Sequence, residues 1–193
     1  MSALSQLASK PYTAEEFFDL LERTGEKYEF EAGAVRLMAG GTYDHNAIKT
    51  DVAVNLGSHA LQHGSCEPFD SDQAVFIPDH ATYVFPDLSF VCDEAQFEDE
   101  ARRRLLNPAL LIEVLSESTE TYDRGDKFRK YRSLPSFREY ILIDSRRYLV
   151  ECFYKENNKL WHIDSCVDPY GSVYIHTLTT HLPLSVMYRR VKF

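Results

Sequence analysis

Three observations predict an α/β fold in which a mixed central β-sheet is covered by helices on both faces. Two stretches in the N-terminal third carry helical spacing with clear start and stop signals. Short runs of alternating apolar residues recur through the rest of the chain. Pro108–Leu115 is an apolar run broken only by Glu113 and too short for an ordinary helix, which marks a buried central strand.

Residues 1–11 read as a short arm and residues 12–193 as one domain. Thr13 can cap a helix while Glu16 reaches back to complete a capping box, and Tyr12 can pack on Phe17 as a hydrophobic staple. Phe17, Leu20, Leu21 and Thr24 form its inner face, and Gly25 ends it. The period then drops to two. Tyr28 and Phe30 alternate with Glu29 and Glu31, Ala32-Gly33 turns the chain, and Val35 and Leu37 resume the alternation, which predicts a hairpin. Ile48, Val52, Leu56 and Ala60 define a second helix from Tyr43 to about His63, closed by Gly64. Strands are expected at Gln73–Ile77, Tyr83–Cys92 and Pro108–Leu115, then a helix over Thr121–Ser133. Further short strands at Arg138–Asp144, Arg147–Phe153, Lys159–Ile163 and Ser172–His176 make an antiparallel C-terminal meander, with Asp144-Ser145, Asn157-Asn158 and Pro169-Tyr170-Gly171 as turns.

Thirty acidic against 21 basic residues give a formal net charge of −9. This argues against attachment to nucleic acid by bulk charge and leaves room for a local basic site. No apolar run approaches a spanning helix, so no membrane partner is expected. Cys66, Cys92, Cys152 and Cys166 are widely spaced, with no Cys-x-x-Cys pair and no secretory signal, which predicts reduced thiols in a cytoplasmic protein. Two charge runs have opposite signs: Asp93 to Glu100 carries five acids and no base, and Arg124 to Arg132 five bases and one acid.

Three charged residues stand out by their surroundings. Glu113 sits inside the apolar run, where it either emerges at a strand end or must be paired with a cation. Asp87 follows Pro86 in an aromatic strand; Pro-Asp is an ordinary turn pair, but a proline also marks an edge or bulge that re-aims a side chain. Lys127 shares an inward helical stripe with Tyr131 and Leu134, either snorkelling to water or meeting the strand acids. Taken together, the three suit Mg²⁺, which takes one or two carboxylates and leaves positions for water and phosphate. Lys127 could then act on the attacking water, so the chemistry implied is metal-assisted phosphodiester hydrolysis.

Other chemistries find less support. His59 and His63 lie four apart with Cys66 beyond, a spacing that can bind zinc, yet no fourth ligand is evident and a hydrogen-bonded core role is the commoner outcome. Ser116 and Ser118 lack a nucleophile elbow and are expected to cap the helix that carries Lys127. No phosphate-binding glycine loop is present.

Tyr28-Glu29-Phe30 with Gly33, His45 at a helix start, Pro86-Asp87, Glu113-Val114-Leu115-Ser116 with Ser118-Thr119, Asp123 with Lys127 and Tyr131, and Glu139-Tyr140 through Asp144 occur in an order that resembles the Uma family. Its members are predicted endonucleases of the PD-(D/E)XK restriction-endonuclease fold. The resemblance spans about residues 12 to 185. It implies Asp87 and Glu113 as metal ligands, the Val114 carbonyl as a third, and Glu29 beside or on the metal. It places His45 near Glu29 or a phosphate. The lysine normally two residues past the second acid is replaced by Leu115, so Lys127 is the candidate for that role and Lys130 the second choice. The family's usual Asp-Gly hairpin turn is Ala32-Gly33 here.

The resulting expectation is a Mg²⁺- or Mn²⁺-dependent endodeoxyribonuclease with Glu29, Asp87, Glu113 and Lys127 at its centre. Arg124, Lys130 and Arg132 would contact DNA phosphates. Cutting both strands needs two sites, hence a homodimer. The alternative is a nucleic-acid-binding or assembly module that keeps the nuclease fold without turnover.

Overall fold

The computed structural model describes residues 10–38, 40–156 and 160–193. Residues 1–9 of the expected arm and the Asn157-Asn158 turn lie outside them.

Helix α1 (Ala14–Thr24) begins with the expected capping box. The Thr13 hydroxyl accepts the Glu16 N–H at 3.1 Å, and the Glu16 carboxylate accepts the Thr13 N–H at 2.9 Å. Its apolar face buries Phe17, Phe18 and Leu20 against the hairpin of β1 (Tyr28–Glu31) and β2 (Ala34–Leu37). Ala32 and Gly33 both take positive φ, 46° and 93°, as a two-residue hairpin turn of matching twist requires. Gly33 is needed for a second reason, since a Cβ there would stand 2.8 Å from the Pro11 Cβ. Helix α2 (Tyr43–His63) is capped by Thr42, whose hydroxyl accepts the His45 N–H, and closes on Gly64 in the left-handed conformation.

Among the described residues the strands fall into three sheets. Strands β4 (Ala74–Ile77), β5 (Thr82–Val84) and β7 (Arg104–Leu105) extend the hairpin into a five-stranded sheet ordered β2-β1-β5-β4-β7. The central sheet has six strands: β3 (Glu67–Asp70), β6 (Leu88–Val91), β8 (Leu110–Leu115), β9 (Glu139–Asp144), β10 (Val150–Lys155) and β11 (Trp161–Cys166), ordered β11-β10-β9-β8-β6-β3. Its middle pair, β8 and β9, is parallel and the rest are antiparallel. The meander β9-β10-β11 is followed by a separate hairpin, β12 (Ser172–Ile175) and β13 (Thr180–Pro183), and by the short helix α5 (Leu184–Met187).

One expected strand is really two. Tyr83–Cys92 divides between sheets, with β5 in the first and β6 in the second. Pro86 has no N–H for either ladder, so pairing stops there and the chain crosses over through Phe85-Pro86-Asp87. The very short β7 and the strand β3, which begins Glu-Pro, gave no alternating signal of their own.

Each face of the central sheet has its own core. Leu110, Ile112 and Val114 of β8 pack with Ile48, Val52 and Leu56 of α2 and Met187 of α5. Leu111 and Leu115, pointing the other way, meet Val75, Ile77 and Val84 of the five-stranded sheet and Tyr131 and Leu134. Each fully buried aliphatic residue contributes about 1.5–3 kcal/mol by leaving water. Glu113 belongs to this second face by the two-residue period of the strand.

Cys66 and Cys92, expected as reduced thiols, are joined by a disulfide. The register of β3 on β6 sets Glu67 opposite Val91, so the residues just outside, Cys66 and Cys92, also face each other, with Cα atoms 4.0 Å apart. Spacing along the chain carries no trace of that register. Cys152 and Cys166 are free. No helix among the described residues is long and apolar enough to cross a membrane.

Candidate active site

The expected helix over Thr121–Ser133 is a composite: α3 (Glu120–Tyr122), a π-helical turn (Asp123–Lys127) and α4 (Phe128–Tyr131). The wider π turn brings Asp123 and Lys127 inward together, and α4 continues with Lys130 and Tyr131 also buried. Lys127 thereby points at the sheet. Its ammonium lies 2.7 Å from Glu113 Oε1, 3.3 Å from Glu29 Oε1 and 3.4 Å from Asp123 Oδ1. Tyr131, one turn on, donates its hydroxyl to the same Glu113 oxygen at 3.0 Å. All five side chains are buried.

Asp87 reaches the group from the crossover. Its Oδ2 accepts the Val114 N–H at 2.8 Å, which ties it to the residue after Glu113. A residue's N–H and C=O point to the same side of a strand, so the Val114 carbonyl faces the Asp87 side as well. Oδ1 accepts the His45 Nε2–H at 3.1 Å, and the Lys49 ammonium stands 4.0 Å away. His45 and Lys49 are one turn apart on α2.

The electrostatics reflect a shortage of positive charge. Burial pushes the Glu113 carboxyl well above its ordinary range, and Asp123 and Asp87 push it further while Lys127 opposes them. Burial likewise raises Asp123 against the pull of Lys127. Burial alone would lower Lys127, but Glu113, Tyr131, Glu29 and Asp123 overcome it and hold the ammonium charged. Asp87 is kept below its usual value despite burial, by His45, the Val114 N–H and Lys49.

Glu29, Asp87, Glu113 and Lys127 are thus neighbours, and other expectations need correction. His45 contacts Asp87 and not Glu29, because its position in the first turn of α2 faces the crossover. Lys130 is buried and paired at 2.6 Å with Glu31, two residues along β1 from Glu29, so helix and strand match acid to base twice. Arg124 is bound to Glu120 and Glu151. Neither extends outward to a phosphate; of the three expected contacts, Arg132 alone is exposed, over the Phe128 ring. Ser116 and Ser118 bond to each other, and Ser116 to Thr119, in place of capping α3. The His59 ring meets the Leu178 carbonyl and His63 the His59 carbonyl, while Cys66 is in the disulfide, which removes the zinc set.

In sequence Asp123 and Tyr131 stand out only as neighbours of Lys127 at four-residue spacing, with no role of their own, and Lys49 does not stand out at all. Lys49, four residues after His45, carried the same available signal.

The donor set fits a hard divalent cation. Two carboxylates from different segments and one strand carbonyl are hard oxygen ligands of the kind Mg²⁺ takes from a protein, which usually supplies it with one or two carboxylates. Three carboxylates, those of Glu29, Glu113 and Asp123, crowd one buried ammonium, with Asp87 adding negative charge beside Glu113, and an added cation would relieve that imbalance. Among the described residues no three His, Cys, Asp or Glu side chains form a complete ligand set, so water and substrate would fill the remaining positions.

Comparison with known proteins matches residues 14–180 to the Uma2 family, described as "Putative restriction endonuclease". Two uncharacterized proteins of Synechocystis sp. (strain ATCC 27184 / PCC 6803 / Kazusa) are similar. One, slr1290, is 34% identical over 149 residues, 77% of each chain. The other, sll1609, is 33% identical over 153 residues, 79% of this chain and 86% of its own. A crystal structure from Anabaena variabilis ATCC 29413, titled as a "putative nuclease belonging to DUF820", superposes with a TM-score of 0.75 over 93% of this chain and 98% of that one. At 18% identity it shows the shared fold.

Proposed function

The chain belongs to the Uma2 family, and from that premise we propose that it is a Mg²⁺- or Mn²⁺-dependent endonuclease hydrolysing DNA phosphodiester bonds. The observation that carries the reading is the Lys127 ammonium, buried 2.7 Å from Glu113 on the strand whose next residue holds Asp87. In this reading Lys127 on the helix takes the role of the lysine that the strand lacks, where Leu115 stands.

Asp87 and Glu113, with the Val114 carbonyl, would hold the metal, which when bound activates water and offsets charge on the phosphate. The protein's own groups do the rest. Lys127 places its positive charge beside the attacking water and the developing negative oxygens. Glu29 and Asp123 fix the position of that ammonium, and the Tyr131 hydroxyl fixes the Glu113 carboxylate. His45 and the Val114 N–H leave Asp87 little rotational freedom. A homodimer would present two such centres to a duplex, which sedimentation of the purified chain checks.

Purified protein should nick supercoiled DNA with Mg²⁺ or Mn²⁺ and fail to do so in EDTA, and Asp87→Ala should abolish the activity. Single-stranded, duplex and branched DNA run in parallel identify the substrate form. DNA binding without cleavage in any metal would sink the enzymatic reading in favour of a binding module; equal cleavage by Asp87→Ala would sink the site.

A further inference from the structure

Beside the acid cluster, two lysines from distant parts of the chain converge on one serine. Lys27 precedes β1, Lys49 lies on α2, and Ser71 lies between β3 and β4. Lys27 Nζ donates to Ser71 Oγ at 3.0 Å and to the Ser71 carbonyl at 3.1 Å, and Lys49 Nζ donates to the same Oγ at 3.3 Å. A serine hydroxyl has two lone pairs and one proton. With both lone pairs accepting from ammonium groups, the O–H is left to donate, and no described residue takes it.

The result is an O–H donor flanked by two cations, whose present counter-charges are Asp72 beside Lys27 and Asp87 at 4.0 Å from Lys49. Asp72 offsets part of this positive charge through a 2.5 Å contact to Lys27, but its side chain is 78% exposed, and such a surface pair is weak and easily exchanged for another anion. A phosphate oxygen suits three convergent donors. Lys49 also stands 4.0 Å from Asp87 Oδ1, so one ammonium touches both Ser71 and the edge of the acid cluster. An anion held there would be next to the reacting centre and not on it.

We propose that Lys49, Ser71 and Lys27 form a cradle for the substrate phosphate adjacent to the one cleaved, and so set where the strand lies across the site. The inference rests on the nuclease reading and names a substrate contact that Arg124, held between two largely buried acids, and the buried Lys130 do not provide. It also explains how an acidic protein holds a polyanion: by a few placed cations.

The test is binding of a fluorescein-labelled DNA duplex in EDTA, followed by anisotropy across about 50–200 mM KCl. Each phosphate contact contributes about 0.9 to the slope of log affinity against log salt. Lys27→Ala and Lys49→Ala should each weaken binding and lower that slope by about one, and Ser71→Ala should weaken binding with the slope unchanged. Lys27→Arg, which keeps the charge, should restore the slope. Lys27 is half-exposed, so its substitution carries the test even if Lys49→Ala impairs folding. Slopes equal to wild type in both lysine variants, with wild type still cleaving DNA, would overturn the cradle alone. Wild-type protein that neither binds nor cleaves DNA would overturn the nuclease reading together with it.

Discussion

Lys127→Met removes the one ammonium buried among Glu29, Glu113 and Asp123 and leaves the three acids in place. At 2.7 Å and an effective dielectric of about 20, the contact with Glu113 is worth about 6 kcal/mol before desolvation. Burying the ammonium takes back several kcal/mol, so the net loss should match that of a broken buried pair, about 3–5 kcal/mol. For a chain of this size each kcal/mol moves the melting midpoint by about 2–4 °C, so the fall should be on the order of 10 °C at pH 7. Thermal denaturation by circular dichroism measures it. The variant's acids, lacking a counter-charge, bind protons more readily when folded; a raised carboxyl pKa means stability present at low pH and lost as pH rises. The gap to wild type should therefore narrow between pH 7 and pH 5. Adding Glu113→Gln to Lys127→Met should recover part of the loss, because it removes a stranded charge. An unchanged midpoint, or a gap that widens in acid, would refute the reasoning.

Other outcomes follow from the same structure. Lys130→Met should cost only about 1 kcal/mol, because Glu31 is half-exposed and can turn to water, and it should leave metal-dependent cleavage intact where Lys127→Met loses it. Opening the Cys66–Cys92 bridge, by reductant or by Cys66→Ser with Cys92→Ser, releases a 26-residue span and should cost about 3 kcal/mol, read as a lower midpoint in melts with and without reductant. Burial pushes Asp51 up, but Arg189 and Arg190 hold it below its ordinary value, so its stabilisation is present above about pH 4 and lost as pH falls through the folded value. Asp51→Asn should thus cost about 1–3 kcal/mol at pH 7, with the cost shrinking as pH falls below about 4, by urea midpoints across that range.

What the sequence disclosed was mostly local. The capping box at Thr13, the two glycine stops and the Ala32-Gly33 turn are written in adjacent residues and recur in the structure. Glu113 was conspicuous because an acid in an apolar strand has few stable solutions. Lys127 was visible through its helical register, although a π turn, which no spacing rule anticipates, sets its final direction. Features that depend on register between distant strands stayed hidden: the Cys66–Cys92 bridge, the division of Tyr83–Cys92 between two sheets, and the pairing of Lys130 with Glu31. The basic run from Arg124 to Arg132 misled for the same reason, since a charge count does not show which bases already have partners.

Calorimetric titration with Mg²⁺ tests the central claim most directly. Wild type should bind one ion per chain near the acids. Asp87→Ala and Glu113→Gln should lose that binding, whereas Lys127→Met, freed of a competing cation, should bind at least as tightly while failing to cleave DNA. Mg²⁺ binding that is unchanged in both Asp87→Ala and Glu113→Gln would contradict the assignment of these two carboxylates as the metal site.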